Sequence, residues 1–416
     1  MVEDHRLETG PAVPAKSGRP DQSARPISTN RPGVKLRLEF APRGARWIIL
    51  AMVLCQACAW PPTWADNVEM DKTSITSQAL NRLRDTLPPL DFETPPRPMP
   101  AATAYLDFYG LNFPGAAHAF GTFRSGSQVL AAQTFRPAEA RATVIVVHGY
   151  FDHTGTLSLA IRHLLEQGFA VAAFDLPGHG LSSGPRADIT DFQVYATAFD
   201  DFLSLCRAHM PPPCHVVAHS TGAAAVITHL LTQGDDGLGR VVLVAPLVRS
   251  AHWEVSTFAA RLFDPLVSDV PRVFRDNTSD EDFAEFVRSD PLQPRIAPMG
   301  WVQALIAWNE RLEGYPPSPN PVVIIQGDED SVVDWKHNLT SLRSKFPNAR
   351  VEMITGGKHQ LLGEKRELRE KVLRMVVDEL TALVCTDFTA GCRYLERAAG
   401  FGTPRSERAS LDFSTH

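Results

Sequence analysis

Residues 143–147, TVIVV, are apolar or β-branched without a polar break, and the run stops at His148-Gly149. A run this short with no polar face fits a strand covered on both sides. The chain comes close to repeating the pattern at 170–174, 215–218, 241–244 and 322–326, and a more polar run, RVEMI at 350–354, reads as a further strand. Stretches of helical period follow at about 155–167, 191–208, 223–232, 333–346 and 366–384. Buried strands separated by helices leave few choices. They predict an α/β fold with a mostly parallel sheet, wound by right-handed crossovers with helices on both faces.

Two departures frame this core. Residues 117–124 and 128–135 read as strands joined by a turn at Ser125-Gly126-Ser127, an antiparallel hairpin at a sheet edge. From 247 to 321 the alternation stops. This segment has helical patches near 253–263, 280–288 and 300–312 and no convincing strand, so it reads as a helical cap inserted over the sheet. Its aromatics Trp253, Phe258, Phe263, Phe283, Phe286, Trp301 and Trp308 are expected as packing residues. The core is then 117–246 plus 322–384, with a proline-rich lead-in at 66–116 carrying one helix near 74–87 and a tail at 385–416. A length of 416 residues, 44% of them hydrophobic, has room for one large domain with such an insertion.

The N-terminus reads differently. Residues 1–46 lack an apolar period and are rich in Pro, Ser and Arg, the composition of a disordered leader. A basic flank (Lys35, Arg37, Arg43, Arg46) precedes an apolar run at 47–60, and Thr63-Trp64-Ala65 closes it. This is the layout of a secretory signal cleaved after Ala65. The alternatives are an uncleaved anchor giving membrane association through 47–60, or a lipidated Cys58. The long leader also admits a true translation start near Val34. Export to the periplasm, the membrane surface or the medium is the expectation, and with it two local disulfides, Cys206–Cys214 and Cys385–Cys392. A net charge of -6 gives no reason to expect nucleic acid as a partner.

Strand 215–218 ends at His219-Ser220-Thr221-Gly222 and a helix of small residues starts at once. A serine on such a turn has its hydroxyl pushed out of the sheet, beside a helix N-terminus that favours negative charge. Ala218 stands where the first glycine of G-x-S-x-G is expected. Two further strands end in chemistry. Strand 322–326 runs into Gly327-Asp328-Glu329-Asp330 with Asp334 beyond, and strand 350–354 into Gly356-Gly357-Lys358-His359. Serine, acid and histidine, each past the C-terminal end of a parallel strand, follow the chain order of an α/β-hydrolase, and that edge of an open sheet is where ligands bind.

Taken together, HGY, DLPGHGLSSG, AHSTG, QGDED and GGKHQLLGE resemble the monoacylglycerol lipase and lysophospholipase branch of the α/β-hydrolases, grouped with the serine aminopeptidases. The resemblance spans residues 117–383. It implies Ser220 as nucleophile, His359 as base and Asp330 as the acid, with Asp328 and Asp334 as competitors. It also implies an oxyanion hole from the backbone N–H groups of Tyr150 and Thr221. The implied activity is serine hydrolysis of carboxylic esters, with monoacylglycerols or lysophospholipids as substrates and no cofactor.

Other features have plainer readings. His215 and His219, four apart, lack a third ligand for a metal. His148 and His153 make no better metal pair; the resemblance implies loop-structural roles for His148, Asp175 and His179, and Gly178-x-Gly180 alone is too little for a phosphate loop. An aminopeptidase would need acids in the insert to hold a free amine. Glu254, Asp264, Asp280, Glu281, Asp282 and Glu285 are available, although helix solvation explains them. An acyltransferase differs from a hydrolase only in its acceptor. A non-catalytic binding protein on this scaffold would normally have lost its serine.

Overall fold

The apolar runs form the centre of one eight-stranded sheet. A computed structural model describes residues 75–93, 99–234, 237–263 and 268–382. The strands are β1 (Ala116–Ser125), β2 (Gln128–Pro137), β3 (Thr143–Val147), β4 (Ala170–Phe174), β5 (Cys214–His219), β6 (Val241–Val244), β9 (Val323–Gly327) and β10 (Arg350–Ile354). They lie in the order β1-β2-β4-β3-β5-β6-β9-β10. Only the β1–β2 and β2–β4 pairs are antiparallel. From β4 to β10 every pair is parallel.

Alternate residues of each central strand go to opposite faces. Ile145, Val147, Val216, Ala218 and Leu243 enter one apolar cluster, and Val144, Val146, Val217 and Val242 the other. Helices cover both. The first cluster takes side chains from α4 (Gln193–His209), α5 (Thr221–Thr232), α8 (Met299–Gly314) and α9 (Trp335–Lys345). The second takes them from α1 (Ser77–Thr86), α2 (Pro100–Tyr109), α3 (Ser158–Glu166) and α10 (Arg366–Thr381). The two covered faces explain why these strands lack polar alternation.

Between β6 and β9 the chain forms α6 (Trp253–Phe263), α7 (Glu281–Ser289) and α8. Here the expectation of no strand needs correction. Asp269–Pro271 (β7) and Ile296–Pro298 (β8) pair antiparallel as a three-residue ribbon. Two segments this short, each with a proline, carry no strand signal of their own. Helix α8 is anchored to the core, with Trp308 buried and its Nε1–H donating to Thr228 Oγ1 at 2.8 Å.

Two more differences concern the core. The proline-rich lead-in holds a second helix, α2; Pro100 at its first position and Gly110 in the left-handed conformation at its end are its signals. The expected Cys206–Cys214 bond is absent, because both thiols are free and buried. Each packs in the apolar cluster as a small hydrophobe, and burial raises the pKa of both thiols. Cys385 and Cys392, the leader, the segment 47–65 and the tail 385–416 lie outside the described residues. No described helix is long and apolar enough to cross a membrane.

Candidate active site

Strand β5 carries its register to Ser220, where the chain must reverse within one residue. Ser220 takes φ 51° and ψ -113°, a conformation L-residues rarely adopt, worth about 1–3 kcal/mol of strain. Its backbone is held from two sides. The N–H donates to Val244 O at 3.0 Å, and the C=O accepts from Ala224 and Leu247, both at 3.2 Å. Helix α5 then leaves directly, and its first eleven residues are buried. Close packing requires glycine at 222, where a Cβ would stand 2.5 Å from His148 O. Ala218 sits inside β5 at 0% exposure and needs no positive φ. An alanine is therefore tolerated where the motif expects glycine.

Two other strand ends bring the remaining groups to this turn. His359 Nε2 lies 3.0 Å from Ser220 Oγ, and its Nδ1 lies 2.8 Å from Asp330 Oδ2. All three residues are buried. An ionised carboxylate can only accept, so Nδ1 carries the proton and Nε2 is left to accept from the serine hydroxyl. Asp330 is itself fixed. Oδ1 accepts from the N–H groups of Val332 (2.8 Å) and Val333 (3.1 Å), and Oδ2 also accepts from Gln326 Nε2 at 3.1 Å. Burial raises the pKa of this carboxyl. The adjacent His359 and the hydrogen bonds from His359, Val333 and Val332 outweigh burial and hold it below the ordinary carboxylate value.

The rival acids have other partners. Asp328 is exposed and accepts from Gly356 N at 2.8 Å. Asp334 caps α9 by accepting from His337 N at 3.2 Å. Tyr150 and Thr221 share the wall around Ser220, and their backbone N–H groups have no partner among the described residues. Thr221 opens α5, so its N–H belongs to the unpaired first turn. Tyr150 is clamped: its ring stacks on Trp301 at 3.8 Å, and its hydroxyl donates to Ala187 O at 2.7 Å. Gly149 before it is needed for space, since a Cβ there would stand 2.8 Å from His219 Nδ1. The arrangement can lower the barrier to attack on a carbonyl, because it pairs an activated hydroxyl with donors for the developing oxyanion.

Residues 138–366, more than half of the chain, match the serine aminopeptidase S33 family. The chain belongs to that family. Human monoglyceride lipase is 25% identical over 311 residues, covering 71% of this chain and 98% of that protein. A probable lysophospholipase of Haemophilus influenzae is 25% identical over 260 residues, 57% of this chain and 82% of that protein. Among solved structures, a soluble variant of Saccharomyces cerevisiae monoglyceride lipase bound to a substrate analogue superposes with a TM-score of 0.54. It has 19% identity and covers 63% of this chain and 93% of that one. Paleococcus ferrophilus monoacylglycerol lipase gives 0.53 at 21% identity, covering 60% and 98%. The shared fold is that of the α/β-hydrolases, and the chain is a carboxylic ester hydrolase.

In this S33-family hydrolase a cavity of about 270 Å³ opens in front of Ser220 and His359. Leu247, Val270, Phe274, Trp301, Val302 and Leu305, all from the insert, supply much of its apolar wall. Of the insert acids considered for amine binding, none lines it among the described residues; Asp264 lies outside them. The cavity's one described carboxylate is Asp152, which accepts from Gln360 Nε2 at 2.8 Å.

The neighbouring histidines are structural. His148 Nδ1–H donates to Gly149 O and its Nε2 accepts from Leu176 N, both at 2.8 Å. His215 Nδ1 accepts from Arg240 N, also at 2.8 Å. His219, with its pKa lowered to about 4 by burial and by His359, meets His359 O through Nε2 at 3.1 Å. His179 donates to Pro177 O, and burial lowers its pKa well below the usual imidazole value. Asp175 accepts from Thr154 N (2.7 Å) and Leu181 N (2.8 Å), tying two loops of the sheet edge together.

Asp290 has no counterpart among the residues that motifs single out. This insert residue, 0% exposed, accepts from Tyr109 Oη at 2.7 Å and pairs with His153 Nε2 at 2.8 Å. Sequence separations of 181 and 137 residues hide the cluster. Its one local signal is Asp290 itself, which ends α7 and accepts from Leu292 N at 2.9 Å.

Proposed function

We propose that the protein hydrolyses carboxylic esters of single-chain lipids through an acyl-enzyme on Ser220. The observation that carries this is the relay of 3.0 Å and 2.8 Å contacts from Ser220 through His359 to Asp330, beside two N–H groups without a partner among the described residues. Ser220 Oγ attacks the ester carbonyl as its proton passes to His359 Nε2. Asp330 holds the imidazole tautomer and stabilises the imidazolium. The N–H groups of Tyr150 and Thr221 receive the oxyanion, each worth about 3 kcal/mol of barrier. His359 returns the proton to the departing alcohol oxygen. Water, deprotonated by the same imidazole, then releases the fatty acid and restores Ser220.

A lipid substrate is supported by the apolar cavity wall and by relatives named monoglyceride lipase and lysophospholipase. Export through residues 47–65 belongs to the same proposal and rests on the basic flank and apolar run of the sequence. N-terminal sequencing of the mature protein tests it, with a start at Asp66 expected. The enzymatic reading is tested by hydrolysis of p-nitrophenyl esters from acetate to palmitate. Rates should rise toward medium and long chains; cleavage confined to acetate would remove the lipid from the proposal.

A further inference from the structure

The cavity wall is apolar, yet the charge on it is lopsided. Among the described residues, three arginines of the insert line it, Arg272, Arg275 and Arg288, against the single carboxylate Asp152. Arg288 is paired with Glu285 at 3.3 Å, and Arg275 donates to Ser331 O at 3.3 Å. Arg272 is placed differently. Its guanidinium lies over the ring of Phe151 at 4.1 Å and over that of Phe274 at 4.3 Å. Nη1–H groups donate to Gln293 Oε1 at 2.6 Å and Pro294 O at 3.3 Å. Among the described residues no carboxylate comes within ion-pair distance of it.

These contacts hold the planar fork in one orientation and leave further N–H donors without a partner among the described residues. Burial, aided by nearby Arg295 and opposed by Asp152 and Tyr150, brings the guanidinium to a pKa of about 10, so it stays charged at neutral pH. A charged, half-buried group without a contacting counterion gains from an anion brought by a ligand. A fixed guanidinium fork matches the oxygens of a phosphate, and a neutral glycerol hydroxyl gains less from it. The position fits as well. Phe151, under the guanidinium, directly follows Tyr150, and both line the same cavity as Ser220 and Arg272, so an anion at Arg272 would belong to the molecule being cleaved.

We propose that Arg272 is a specificity-determining residue that recognises the phosphate of a lysophospholipid headgroup, selecting phosphate-bearing single-chain lipids over neutral monoacylglycerols. This rests on the ester-hydrolase reading above and goes further by naming the substrate class.

The test uses the full chain and two lipids with one oleoyl chain, lysophosphatidylglycerol and monooleoylglycerol, each dispersed in the same neutral detergent micelles. The wild type should favour the phosphate-bearing lipid in kcat/KM by about tenfold, and Arg272→Gln should reduce that ratio toward one. A structural defect lowers both rates together and leaves the ratio intact; that result, or a wild type with no preference, overturns the proposal. Should Arg272→Gln not fold, Arg272→Lys retains charge without the fork, and an unchanged ratio there overturns it equally. A second readout needs no turnover. Glycerol 3-phosphate should slow labelling of Ser220 by a fluorophosphonate in the wild type and not in Arg272→Gln, while glycerol slows neither; equal protection of both proteins counts against Arg272. Failure of the underlying hydrolase reading is distinguishable, because Ser220 would then resist the fluorophosphonate and p-nitrophenyl butyrate would not be cleaved.

Discussion

The two sides of the cavity are built by opposite rules. Below Ser220, β5 and the first eleven residues of α5 are wholly buried, and backbone packs against backbone at Gly222. Above it, α7 has no buried residue, and α6 presents Val255, Phe258 and Leu262 to solvent. The floor leaves the reacting groups no room to drift, which is what a hydroxyl within 3.0 Å of its base requires. The roof is fastened through the buried face of α8, including Trp308, and through polar ties such as Asp290 to Tyr109 and Thr278 to Gly363 O. Chemistry therefore belongs to the floor and substrate choice to the roof, and substitutions on each side should fail in different ways.

The largest effect should come from the floor. Ser220→Ala removes the nucleophile and should lower kcat by about 10⁶-fold, while thermal unfolding stays near where it was, since alanine keeps the same Cβ at the positive φ of residue 220. Activity surviving in a homogeneous Ser220→Ala preparation would place the chemistry elsewhere. Next is Asp330→Asn, which keeps the shape but misdirects the imidazole proton, for a loss of about 10⁴-fold in kcat. Steady-state rates on p-nitrophenyl butyrate measure both. A milder loss in Asp330→Asn than in Asp328→Asn would move the acid to the exposed position.

At the join of floor and roof the expected loss is one of stability. Asp290→Asn leaves His153 buried without its partner, and breaking such a pair costs about 3–5 kcal/mol. The pair also predicts a pH window. Burial raises the pKa of the Asp290 carboxyl, but His153 and the hydrogen bonds from His153 and Tyr109 bring it below the ordinary value. Its contribution is thus present above the unfolded carboxylate pKa and lost as pH falls through the folded one. For His153, burial lowers the pKa and Asp290 raises it further, for a net rise. That contribution is complete below the unfolded imidazole pKa and lost as pH climbs through the folded one. The stability difference between wild type and Asp290→Asn should peak between about pH 4 and 6.5 and narrow on both sides. Urea unfolding across that range checks it; a difference that keeps growing above pH 8 would mean that His153 is not the charged partner.

The same division decides what is legible in the amino-acid sequence. The strands are legible because a strand covered on both faces is apolar almost throughout, its rare polar side chains being hydrogen-bonded as Thr143 Oγ1 is to Pro211 O, so TVIVV could be little else. The site is legible because each reacting group follows the end of a strand closely, Ser220 directly and Asp330 and His359 within the next short loop, a local pattern. Contacts across the join are not. Nothing near residue 153 or residue 109 points to residue 290, and a buried carboxylate looks in sequence like any helix-end aspartate. Cys206 and Cys214 mislead for a related reason: a proline-rich loop between two cysteines suggests a bridge, whereas their burial in the apolar cluster comes from α4 and β5 packing. The β7–β8 ribbon is held by its neighbours and leaves no signal of its own.

Smaller effects sharpen the contrast further out. Asp334→Ala removes the cap of α9 and should destabilise by about 1 kcal/mol with kcat nearly intact, since its oxygen meets His337 N and not His359. The smallest effect is expected on the outer face of the roof. Phe258 is 65% exposed, so Phe258→Ser removes an aromatic side chain and yet should shift unfolding by no more than about 0.5 kcal/mol. An equally large side chain in the floor, Phe199 at 0% exposure, should cost about 3–5 kcal/mol when cut to alanine. Denaturant midpoints of the two variants, compared at equal slope, measure the asymmetry directly. If Phe258→Ser proved as damaging as Phe199→Ala, the outer face of α6 would have to be packed against something, contrary to the exposure of Val255, Phe258 and Leu262.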